Sequence, residues 1–123
     1  MAESLFEYGS RVGFWRIVKL MTQRGIPLTV NACAQALARN PQIAESIRQH
    51  EFDLCCHGDR FIRHFLLTEQ EERNAIAQAI AGLKQTTGRS PSGWQSRYSP
   101  SRNTRALLVE HGGLLYDFRQ LCR

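Results

Sequence analysis

Helix-periodic segments and short β-prone segments alternate along this whole 123-residue chain, and that alternation limits the fold more than any other feature. Strand-then-helix order predicts a parallel sheet, because a parallel neighbour is reached only by a crossover, which a helix supplies. Such crossovers are right-handed and lay helices over both faces of the sheet. Val12, Trp15 and Val18 recur near the helical period across residues 10–23, with Gly25 suited to the left-handed cap and Pro27 blocking continuation. Residues 28–33 are short, apolar and β-prone, the pattern of a first buried strand.

Asn40-Pro41 supplies an N-cap and a first-turn proline for a helix that places Ile43, Ile47 and His50 along one side. Residues 52–56 form a second strand ending at His57-Gly58. Thr68 and Glu71 have capping-box spacing and open a helix whose Ile76, Ile80 and Leu83 make the inner stripe, with Gly88 and Pro91 beyond it. Residues 93–95 read as a third strand. Ser99-Pro100 starts a helix through Leu107, Leu108 and His111, and residues 114–117 make a fourth strand after Gly112-Gly113. No repeat or linker interrupts the series, so one domain covers residues 1–123.

The residues able to do chemistry fall at or just after strand ends. Asn31 belongs to the first, His57 and Arg60 follow the second, Arg97 follows the third, and Asp117 sits on the fourth. In parallel α/β folds and β/α barrels ligands bind at the carboxyl ends of the strands. An imidazole can act as metal ligand, general base or donor to an oxyanion, which makes His57 the leading candidate, and Gly58 lets the backbone turn sharply beside it. Arg60 and Arg97 can each clamp a carboxylate or orient a planar amide through paired hydrogen bonds. His50, His64 and His111 lie on or after helices and read as structural or exposed. No nucleophile elbow and no phosphate-binding glycine loop is present.

The net charge of +5 is scattered, with no basic run and no helix-turn-helix, RRM or zinc-finger spacing, so nucleic acid is not an expected partner. No apolar run approaches the roughly 20 residues that cross a bilayer. Residues 1–8 carry Glu3 and Glu7 and no apolar core, unlike a signal peptide, and a cytoplasmic location is expected. Cys33, Cys55 and Cys56 lie in apolar stretches as buried thiols, and none of the four cysteines, Cys122 included, has metal or redox spacing.

Several segments are similar to allantoinases related to the polysaccharide and chitin deacetylases (the NodB-homology, carbohydrate esterase family 4 type). They are Glu7-Tyr8-Gly9-Ser10-Arg11, Gly13-Phe14-Trp15-Arg16, Thr29-Val30-Asn31-Ala32-Cys33, Cys56-His57-Gly58 with Arg60, Ser99-Pro100 with Asn103-Thr104-Arg105, and Gly112-Gly113 leading to Leu115-Tyr116-Asp117. The likeness runs from about residue 3 to residue 117. It implies a partial (β/α) barrel with about four parallel strands, and hydrolysis of a non-peptide C–N bond. Arg97 resembles the family arginine that orients a catalytic carboxylate. By this resemblance His57 and Arg97 are the candidate catalytic residues, and Asn31, Arg60 and Asp117 the substrate-binding ones.

In the deacetylases two histidines four residues apart help hold a divalent metal that activates water. Here His57 matches the first, but the second position is Phe61. The departure resembles the metal-independent allantoinase-like branch, so neither metal nor cofactor is expected. The implied substrate is a small molecule, a cyclic amide or ureide. An N-acetylated sugar is the alternative, and a non-catalytic remnant domain a third.

Family members are more than twice as long, and their acidic motif precedes this region. The chain therefore reads as an internal fragment, inactive by itself and prone to self-association. The tail 118–123 departs from the family pattern, and one inserted base in a codon series for that pattern translates to Asp-Phe-Arg-Gln-Leu-Cys-Arg-stop. A frameshifted tail is the expectation.

Overall fold

A computed structural model describes residues 12–59, 64–96 and 100–118. Helix α1 spans Phe14–Arg24 and ends as expected at Gly25, whose φ of 64° is left-handed. Strand β1 (Thr29–Ala32) follows, then a short helix α2 (Ala34–Ala38) that periodicity did not reveal. Helix α3 is Pro41–His50 and β2 is Asp53–Cys56. A 3₁₀ turn, His64–Leu66, precedes the longest helix, α4 (Glu69–Thr87). Strand β3 (Gly93–Gln95), helix α5 (Thr104–His111) and strand β4 (Tyr116–Phe118) complete the described chain.

The four strands form one parallel sheet in the order β1-β2-β3-β4. The expected alternation of parallel strands with helices is therefore observed. Helix α4 packs against α2, α3, α5 and β2. Its expected stripe is buried, with Ile76, Ile80 and Leu83 all at 5% exposure or less. Its capping box is complete: the Thr68 hydroxyl accepts from the Glu71 amide, and the Glu71 carboxylate accepts from the Thr68 amide. Each such cap is worth about 1 kcal/mol.

Two start signals behave differently from expectation. The Asn40 side chain does not cap α3; its amide donates back to the Ala36 carbonyl, closing α2 instead. Helix α5 begins at Thr104, not at Ser99-Pro100. Ser101 and Thr104 are drawn together, the Ser101 amide donating to the Thr104 hydroxyl, and both hydroxyls bond the buried carboxylate of Glu72. That tertiary anchor outweighs the proline as a helix start.

Strand side chains alternate between faces. One face carries Leu54, Cys56 and Trp94, which join the helices in the main core, with Val30 and Ala32 packed against it. The other carries Thr29, Asn31, Asp53, Cys55, Gly93, Gln95 and Tyr116, as the register requires. The core thus lies on one face rather than both, the arrangement of a barrel wall with a polar interior side. The three described cysteines are buried, as expected.

Candidate functional site

The carboxyl edge of the sheet is assembled by the short strands themselves. The His57 amide continues the β1–β2 ladder by donating to the Ala32 carbonyl at 2.9 Å. Gly58, at φ 92°, turns the chain so that its carbonyl accepts from the Ala34 amide at 2.9 Å, fixing the start of α2 beside the site. The Cys33 thiol bonds the His57 carbonyl at 3.3 Å and ties down the same turn.

His57 Nδ1 lies 2.7 Å from the backbone carbonyl oxygen of Gln95 on β3. A carbonyl only accepts, so Nδ1 carries the proton in this bond and the neutral ring has its lone pair on Nε2. The Asn31 side-chain amide donates to the Gln95 side-chain oxygen across β2. Asn31 and His57, two of the expected residues, are thus joined through Gln95. Strand-end position could have flagged Gln95 in the sequence, because it closes β3 as Asn31 nearly closes β1. A cavity of about 350 Å³ at β1 is lined by Asn31 and His57 with Phe14, Val30, Leu37 and Ile43, and not by Gln95. That volume falls in the range of small-molecule sites.

Asp117 is not brought to this group. It pairs in register with Trp94, whose side chain is in the helix-covered core, and it lines a separate cleft with Arg105, Leu108 and Leu115. Arg60 and Arg97 lie outside the described residues. His50 stacks on Phe52 with ring centroids 5.0 Å apart, and His64 is buried against Glu72, so both are structural.

Beneath the edge the interior face is held by a second polar group. The Tyr116 hydroxyl donates to Asp53 at 2.6 Å, and the Thr29 hydroxyl donates to the same carboxylate at 3.3 Å. The Tyr116 bond pulls the Asp53 carboxyl below its usual range. Burial, reinforced by that bond, pushes the Tyr116 phenol well above its own. Burial also raises the Cys55 thiol to about 11 and the Cys56 thiol to about 12, so neither is a nucleophile near neutrality.

The divalent metal of a deacetylase does not fit these residues. Position 61 is phenylalanine, and His57 Nδ1 is committed to a backbone carbonyl. Among the described residues no three His, Cys, Asp or Glu side chains come together as a ligand set. The chemistry available is that of one oriented imidazole and two primary amides.

Comparison with known proteins places this geometry in context. Residues 1–114 match the family model described as polysaccharide deacetylase. A polysaccharide-deacetylase-type protein of Schizosaccharomyces pombe is 30% identical over 110 residues, which is 88% of this chain and 34% of that protein. The crystal structure of the PuuE allantoinase superposes with a TM-score of 0.87 at 41% identity, over 97% of this chain and 39% of that one. A polysaccharide-deacetylase-type structure from Pseudomonas aeruginosa PAO1 gives 0.86 at 42% identity, over 96% and 39%. The chain spans about a third of the length of its curated relative. The described strands and helices are accordingly those of a partial (β/α) barrel of this type. No helix among the described residues is long and apolar enough to cross a membrane.

Proposed function

The chain belongs to the polysaccharide deacetylase family, and from that premise we propose that it forms the imidazole-and-amide edge of a metal-independent hydrolase that opens cyclic amides. The observation that carries this reading is the His57–Gln95 hydrogen bond beside Asn31. It fixes the His57 ring at an edge that also carries the primary amides of Asn31 and Gln95, groups suited to meeting an amide. The similarity to an allantoinase structure makes a ureide ring such as allantoin, an intermediate of purine breakdown, the favoured substrate.

Hydrolysis adds water oxygen to a ring carbonyl carbon, breaks the ring C–N bond, and delivers a proton to the departing nitrogen. His57 is suited to take a proton from the attacking water and return it to that nitrogen. By the family resemblance Arg97 is assigned the role of orienting the carboxylate partner, and Arg60 a part in substrate binding. The described carboxylates of this neighbourhood are engaged elsewhere: Asp53 with Tyr116 and Thr29, and Asp59 with Gln35 at 3.1 Å. The chain alone is therefore assigned ring binding without turnover.

Calorimetric titration with allantoin and with an N-acetylglucosamine oligomer, each in the presence of a chelator, tests this. Binding of allantoin without metal, and no acetate release from the oligomer on adding zinc or cobalt, is the expected pair of results. Preferential binding of the sugar, or metal-dependent acetate release, would assign the chain to sugar N-deacetylation instead.

A further inference from the structure

Gln95 holds both sides of the site at once. Its backbone oxygen fixes the His57 ring, and its side-chain oxygen accepts from the Asn31 amide two strands away. The register sets Asn31 beside Cys55, and Cys55 beside Gly93, two residues before Gln95 on β3. Between the two amides on that face lies the small Cys55 side chain of β2, with the His57 ring alongside it. The Tyr116 ring fills the space over Gly93 and is drawn toward the strand starts by Asp53, below the amide pair.

A primary amide offers two N–H donors and a carbonyl with two lone pairs. A mutual bond between Asn31 and Gln95 uses one N–H and one lone pair. Whichever way the two amides are turned, that bond leaves at least one N–H and one C=O for other partners. In a five-membered ring the amide is cis, so its N–H and C=O lie on one edge and can meet such a pair together. An open-chain acetamide, as on an N-acetylated sugar, is trans, with N–H and C=O pointing apart.

We infer that the Asn31–Gln95 pair reads the cis N–H/C=O edge of a cyclic ureide, and that Gln95 is a specificity-determining residue selecting ring amides over acetamides. This rests on the cyclic-amide reading above and adds the groups that recognise the ring.

Affinities of hydantoin, 1,3-dimethylhydantoin and N-methylacetamide for the wild-type chain and for Gln95→Leu test the inference. Hydantoin is expected to bind the wild type and to lose roughly tenfold on substitution, about the loss of one hydrogen bond made in a confined site. The dimethyl ring, which has no N–H, is expected to bind weakly to both proteins alike, and N-methylacetamide more weakly than hydantoin. The leucine side chain leaves the carbonyl at 95 in place, so an unchanged ¹⁵N tautomer signature of His57 shows that the variant is folded. Equal binding of hydantoin by wild type and variant would overturn the inference while leaving the cyclic-amide reading intact. Failure of the wild type to bind any ring amide would overturn both. If Gln95→Leu does not fold, ring methylation on the unaltered protein decides: equal affinity for hydantoin and its dimethyl form overturns the inference.

Discussion

The Tyr116 ring of β4 lies directly over Gly93 of β3, where a Cβ would run into it, and its hydroxyl reaches past β3 to Asp53 of β2 at 2.6 Å. Residue 93 must therefore lack a side chain for β4 to dock as it does. Gly93→Ala is expected to cost about 1–3 kcal/mol, the usual penalty for overpacking, because the ring must leave Asp53 to make room. Urea unfolding measures this, and a midpoint equal to wild type would show that the ring does not sit there.

The same pair sets a pH dependence. Asp53 has a lowered folded pKa, so its contribution is present above the unfolded value near 3.9 and is lost as pH falls through the folded one. Tyr116 has a raised pKa, so its contribution is present below about 10 and is lost as pH rises through the folded value. Cys55, raised to about 11, adds alkaline loss in the same sense, beginning near its unfolded value of about 8.5. Tyr116→Phe should cost about 1.5 kcal/mol near neutrality, as for a hydrogen bond to a charged group. That cost should shrink below about pH 4 and above about pH 10. A cost independent of pH between 3 and 7 would contradict the assignment.

Glu72 is fully buried and is shared by three donors: His64 Nδ1 at 3.1 Å and the hydroxyls of Ser101 and Thr104. It joins the chain entering α4 to the chain entering α5. Glu72→Ala removes the acceptor that His64 and the Ser101 and Thr104 hydroxyls share and should cost about 3–5 kcal/mol, whereas Glu72→Gln, which keeps the shape, should cost less. Thermal unfolding of both variants checks the order. An alanine variant within about 1 kcal/mol of wild type would show that water replaces the carboxylate.

Where local pattern and tertiary structure agree, the fold was legible in the sequence. The capping box at Thr68 and Glu71, the stripe of Ile76, Ile80 and Leu83, and the strand at 93–95 appear where the residues put them. Helix α2 was not legible, because five residues cannot display a period. The start of α5 was misplaced because its determinant, Glu72, lies some thirty positions earlier. At the candidate site, Asn31 and His57 are expected from residue type and strand-end position, and the structure brings both to Gln95. Gln95 itself is not expected, since half of its role belongs to its backbone carbonyl. Asp117 shared the strand-end position, but a one-residue alternation turns it to the other face of the sheet.

Self-association is expected from the surface. Among the described strands β1 and β4 each have one neighbour, and Val109 and Leu115 beside β4 are 75% and 84% exposed. Open edges next to apolar side chains favour pairing between chains. Light scattering across a concentration series should show mass rising with concentration, and Leu115→Lys should reduce it. A constant monomer mass up to millimolar concentration would contradict this.

The most direct test asks where a ring amide sits. In a ¹⁵N-labelled chain titrated with allantoin under a chelator, the side-chain amide signals of Asn31 and Gln95 and the ring nitrogens of His57 should move together and saturate at one affinity. Signals from the Arg105, Leu108 and Asp117 cleft on the other face should stay in place. Saturable shifts confined to that cleft, or none at the Asn31–Gln95–His57 edge at millimolar allantoin, would contradict the assignment of this edge as the site.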